Sequence, residues 1–144
     1  MRIDGHWMMN DSGVVRPILT GAVQDDEGIV HTIPFLLDTG AEQTILSYEV
    51  VALLGAEKLP SGHALQGISG TIPSVSVATT IWFLNELGQP VPFKGKFGGI
   101  TDPAFSDMSL LGRDVLRELS VIVDRPGDVV SLLAGRHRYL IQES

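Results

Sequence analysis

Two segments of this chain carry the same pattern, and both interrupt its β-rich run in the same way. Phe35-Leu36-Leu37-Asp38-Thr39-Gly40 and Ser109-Leu110-Leu111-Gly112 each join a short apolar run to a glycine and a polar turn. Runs of this length read as buried strands. In the first segment an acid, Asp38, follows the run directly. An ionised carboxylate there is costly unless something holds its charge. The small residues after it, Thr39-Gly40-Ala41, let a backbone come close to its oxygens.

β signals dominate elsewhere. Residues 14–23 and 29–37 flank a polar turn ending in Gly28 and read as a hairpin. Residues 47–54 change character: Ser47 is placed to cap a short helix, and Gly55 to end it in a left-handed conformation. Residues 71–84 alternate apolar and polar positions, turn through 85–90, and continue in a further strand over 91–97. Residues 98–103 read as a surface loop. Helical character follows Gly112 over 113–119, and residues 120–123 and 129–133 flank a last turn. Residues 134–144 either add a strand or trail off. The expectation is a single all-β domain over residues 1–144, a closed or nearly closed body with two short helices.

The 144 residues are enough for a single core. The formal net charge of -7 is spread along the chain without a basic block. That argues against nucleic acid and against an anionic membrane surface as partner. Cysteine is absent, which excludes disulfides, thiolate nucleophiles and zinc–cysteine sites. The N-terminal stretch has no sustained apolar core like that of a secretory signal. No apolar run approaches the roughly 20 residues needed to span a bilayer. The expected location is cytoplasmic.

Three roles are open to Asp38. It can end a strand and cap the next turn, as Asp-Thr-Gly often does. It can be the buried partner of an arginine, or a catalytic acid tuned by its surroundings. The last role needs a carboxylate at the end of a buried strand, a neighbouring hydroxyl, and a glycine for close approach. Asp38-Thr39-Gly40-Ala41 supplies these in order, and Thr44-Ile45-Leu46-Ser47 after it returns the chain to the core.

On these residues the chain resembles the retropepsin-like aspartic proteases, with Leu36-Leu37-Asp38-Thr39-Gly40-Ala41 as the first motif and Leu110-Leu111-Gly112-Arg113 as the second. Coverage runs over about 14–133, and Arg16-Pro17 opens the first hairpin as in several retroviral members. The resemblance implies an acid-protease β-barrel with a β-hairpin flap. Its glycine-rich tip, closing over substrate, would be Gly67-Ile68-Ser69-Gly70, whose place between the two motifs favours a flap over an ordinary hairpin turn. It also implies Asp38 as the catalytic acid, Thr39 and Gly40 as turn supports, and Gly40 and Ala41 lining the substrate path. Ala41, Ile45 and Leu111 are the expected pocket residues. Glu42 and Arg113 are expected as a buried, bidentate ion pair. Asp114 is expected at most to cap its helix.

That chemistry needs two carboxylates about 3 Å apart sharing a proton. Asp11-Ser12-Gly13 is too near Asp38 to belong to a second lobe and reads as a turn. The second acid is therefore expected from a second copy, in a homodimer with one site on its two-fold axis. No cofactor is implied. The substrate would be an extended peptide, held through its main chain. The dimer would join through the 120–133 hairpin or through the tail.

The main alternative is a dimeric peptide-binding module on the same fold, with weak or no proteolysis. A metal hydrolase is disfavoured, because His6, His31, His63 and His137 lack metal-site spacing. A serine hydrolase is disfavoured by the absence of Gly-x-Ser-x-Gly.

Overall fold

The computed structural model describes residues 1–55, 58–60, 65–67, 70–72, 74–105 and 107–143. In chain order its strands and helices are β1 (Arg2–Asp4), β2 (His6–Met9), β3 (Val15–Gln24), β4 (Val30–Leu37), β5 (Ile45–Leu46), α1 (Tyr48–Leu54), β6 (Lys58–Pro60), β7 (Leu65–Gly67), β8 (Gly70–Ile72) and β9 (Ser74–Leu84). Then come β10 (Pro90–Ile100), β11 (Ser109–Leu111), α2 (Arg113–Leu116), β12 (Leu119–Asp124) and β13 (Val129–Ala134).

Alternation sets which face of each strand is inside. In β4, Ile33, Phe35 and Leu37 are buried, while Thr32 and Pro34 on the other face are exposed. In β9, Val77, Ile81 and Phe83 are buried, and Phe83 meets Phe35 edge-on at 5.8 Å between ring centroids. The strands then close on themselves. β3 pairs with β4, β4 with β11, β11 with β5, β5 with β10, and β10 with β9. A bridge between Ala22 and Trp82 returns β9 to β3. The expected closed all-β body is present, with most of its core inside this ring.

A second sheet, β1–β13–β12, packs Ile3 and Leu132 into the same core. Here the structure departs from the sequence expectation. β1 and β2 occupy residues where no strand was expected. Each is too short to show a period, and β1 owes its conformation to β13, at the opposite end of the chain, through pairs such as Ile3 with Leu132. Gly98–Ile100 is not a loop. β10 runs on through it, pairing with Ser74–Ser76 on one side and, at Gly98 and Gly99, with Ile45 and Leu46 on the other.

The α1 prediction holds in detail: Ser47 Oγ accepts from Val50 N, and Gly55 ends the helix at φ 55°. α2 is shorter than expected, stopping at Leu116. Residues 136–143 form neither strand nor helix and are exposed.

Candidate active site

β4 and β11 run parallel, with Leu36 opposite Leu110 and Leu37 opposite Leu111. The two sequence motifs therefore lie side by side, and Asp38 N donates to Leu111 O at 3.1 Å where β4 ends. The chain turns at once. Gly40 N donates to Asp38 Oδ1 at 3.0 Å, and Ala41 N donates to the Asp38 carbonyl at 3.2 Å. Asp38 is half-buried, while Thr39, Gly40 and Glu42 beside it are exposed. The second carboxylate oxygen has no hydrogen-bond partner among the described residues.

Behind this turn is a dense polar knot. Thr44, fully buried, donates from both N and Oγ1 to Asp114 Oδ1, at 2.9 and 2.6 Å. The same Thr44 hydroxyl accepts from Gly112 N at 3.0 Å, and the Thr44 carbonyl accepts from Gly98 N at 3.0 Å. Arg113 N donates to Ala41 O at 2.9 Å. Gly112 is required here because a Cβ would stand 2.5 Å from the carbonyl carbon of Gln43. Two backbones meet closely enough to hydrogen-bond only without that atom.

Thr44 and Asp114 are the residues that sequence reasoning missed. Asp114 does accept from Val115 N in its own helix, but its main service is to the loop carrying Asp38. The available signal was one polar residue on the apolar side of each motif.

Glu42 and Arg113 do pair, but not as the buried, bidentate contact that was expected. Arg113 Nη2 lies 3.8 Å from Glu42 Oε1, and Glu42 is 90% exposed, so this is a loose surface pair rather than a buried bidentate one. The guanidinium instead donates from Nη1 to Thr39 O at 2.9 Å. Desolvating a free carboxylate would cost more than a long contact returns, so Glu42 stays in water. Leu111, expected among the pocket residues, is wholly buried in the core of the chain. Leu110, Ala41 and Ile45 are half-buried.

β7 and β8 form the expected hairpin, with Gly67 opposite Gly70. Ile68 and Ser69 at its tip, and His63, lie outside the described residues. Asp11-Ser12-Gly13 is the β2–β3 turn, held by Asn10 Oδ1, which accepts from Ser12 N and Val14 N. Among the other histidines, His31 meets Asp25 at 2.8 Å, His137 meets Ala134 O at 2.9 Å, and His6 is an exposed residue of β2. Among the described residues no group of three or more His, Asp or Glu is placed to hold a metal ion.

The family model described as retroviral aspartyl protease matches residues 13–124, a span that contains both motifs and the whole ring. The chain belongs to this family. Retroviral-type aspartyl proteases are also its neighbours among solved structures. A retropepsin-like aspartic protease from Rickettsia conorii is 20% identical, covers 92% of this chain and 88% of its own, and superposes with a TM-score of 0.55. The EIAV protease complexed with the inhibitor HBY-793 is 21% identical, covers 76% of this chain and 92% of its own, and gives a TM-score of 0.51. At these identities the likeness is one of fold. No curated protein matches the chain.

Proposed function

We propose that this retroviral-type aspartyl protease domain is an aspartic endopeptidase that works as a homodimer. The observation that carries the proposal is the setting of Asp38. It is the chain's one Asp-Thr-Gly, at the end of a ring strand, with one carboxylate oxygen fixed by Gly40 N and the other free of protein partners among the described residues. The exposure of Thr39 and Gly40 supports a second copy meeting this turn. Members of the family are homodimeric and bind peptides.

In the dimer two Asp38 carboxylates share one proton, because two charges so close cannot both ionise. The ionised one takes a proton from a bound water. The protonated one donates to the scissile carbonyl oxygen, and the water oxygen adds to the carbonyl carbon. Collapse of the tetrahedral diol breaks the C–N bond, and a carboxyl proton passes to the leaving nitrogen. Gly40 offers its carbonyl to an extended peptide, and the β7–β8 hairpin closes over it. β12, an edge strand of its sheet among the described residues, is available to the partner copy.

Peptide-library cleavage by wild type and by Asp38→Asn, followed over a dilution series with sedimentation, tests this. Loss of cleavage in Asp38→Asn, and a fall in specific activity as dimer dissociates, are expected. Equal cleavage by both proteins, or full activity in a monomer, overturns it. Peptide binding without cleavage would favour a binding module on the same fold.

A further inference from the structure

Cations scattered along the sequence come together on one side of the molecule. A cavity of about 430 Å³ is lined by Lys94, Lys96 and Arg117. Arg117 also lines a second, of about 600 Å³, with Arg136 and His137. Arg136 and His137 continue into a third, of about 390 Å³, with Arg138. Shared lining residues make the three one concave strip. It holds five of the chain's ten Lys and Arg residues, on a protein of net charge -7.

Few local acids neutralise it. Lys94 and Lys96 point the same way from β10, and their partners across the ladder, Thr80 and Ala78, are uncharged. Among the lining residues Asp114 and Glu118 are the acids, against five cations, and Asp114 Oδ1 is turned to Thr44 and Val115. Glu118 makes only a 3.8 Å surface contact with Arg117. Arg117 lies about one helical turn, roughly 6 Å along the axis, beyond Arg113, whose guanidinium holds the Thr39 carbonyl.

We propose that this strip is an exosite that docks an acidic segment of the protein substrate, outside the residues that reach the scissile bond. The proposal rests on the endopeptidase reading and extends it to substrate class. Separate concavities suit spaced carboxylate side chains. A duplex presents one charge per ~1.7 Å in a rigid rod, and the acidic remainder of the surface would repel it. Charge complementarity of this kind acts on encounter and selectivity and is screened by salt.

The test uses full-length Asp38→Asn and two dye-labelled peptides that share a core sequence, one extended by a run of Glu and Asp. Fluorescence anisotropy should show the extended peptide binding about tenfold more tightly at low salt, an advantage lost near about 0.5 M NaCl. Lys94→Glu with Lys96→Glu should abolish that advantage, and Arg136→Ser with Arg138→Ser should reduce it. In the active protein the Lys94→Glu/Lys96→Glu pair should raise KM for the extended peptide about tenfold, leaving kcat and the unextended peptide unchanged. Equal binding of the two peptides, indifference to these substitutions, or tighter binding of an oligothymidylate of equal charge overturns the exosite. The two proposals fail separately. Lysine-dependent binding without any cleavage removes the protease and keeps the acidic-peptide site, whereas cleavage without lysine dependence does the reverse.

Discussion

The turn that carries Asp38 has two faces, and they are built on opposite terms. The front, Asp38 to Glu42, is open: Thr39, Gly40 and Glu42 are exposed, and the Arg113–Glu42 contact is 3.8 Å long. The back, less than two turns of chain away, is closed: Thr44 is fully buried and bonded to Asp114, Gly112 and Gly98 by contacts of 2.6 to 3.0 Å. A hydrogen bond in water gains little, and one sealed from water is expensive to break. The back therefore supplies rigidity, and the front is left open, as the proposed substrate and second copy require.

If that division is right, substitutions on the two faces fail in different ways. The largest effect should be Asp38→Asn, which lowers peptide hydrolysis by about 10³-fold or more. Its thermal midpoint should stay within about 2 °C of wild type. A large loss of stability in this variant would break the comparison.

Gly112→Ala comes next and belongs to the back. Its methyl meets the Gln43 backbone at 2.5 Å, so unfolding stability should fall by about 3 kcal/mol. Thr44→Val keeps the shape and removes the hydroxyl, leaving Gly112 N and one Asp114 contact unpaired. About 2 kcal/mol should be lost in urea unfolding. Activity should fall only in proportion to the unfolded fraction. A midpoint equal to wild type would show that the knot is ornamental.

Glu42→Gln should be nearly silent, with its midpoint shifted by less than about 2 °C. A larger shift in the assembled protein would mean that Glu42 gains a partner there.

Acid should separate stability from catalysis. Asp4 is held below the usual carboxylate range by a hydrogen bond from Ser131, reinforced by Arg2. The His31 ring, with the Ile29 and Glu27 amides, does the same to Asp25, and the Arg2 amide to Glu86. A carboxyl depressed in the folded state contributes stability that is complete above its unfolded pKa and lost as pH falls through the folded one. Stability should thus decline below about pH 4. Ser131→Ala should flatten that decline without moving the pH profile of cleavage, because none of these acids touches the Asp38 turn.

How much of this was legible beforehand follows from the range of each interaction. The β3–β4 hairpin, α1 with both its caps, and the two glycine motifs are written in local patterns of alternation, turn chemistry and spacing. β1 and β2 are not, since three or four residues hold no period and β1 takes its conformation from β13. The extension of β10 through Gly98–Ile100 was hidden for a related reason. Glycines read as loop until a strand on either side, here β5 and β9, claims their backbone groups.

The sequence by itself settled where the acid sits and what kind of turn surrounds it, because Asp-Thr-Gly-Ala after an apolar strand is a local arrangement. Only the tertiary structure decided what stands behind that turn. It chose Asp114 rather than the Glu42–Arg113 pair as the buried anchor, because desolvation is set by which residues end up sealed together. It also gathered Lys94, Lys96, Arg117, Arg136 and Arg138 into one strip. Charge acts through space, and distance along the chain says little about distance across a closed sheet.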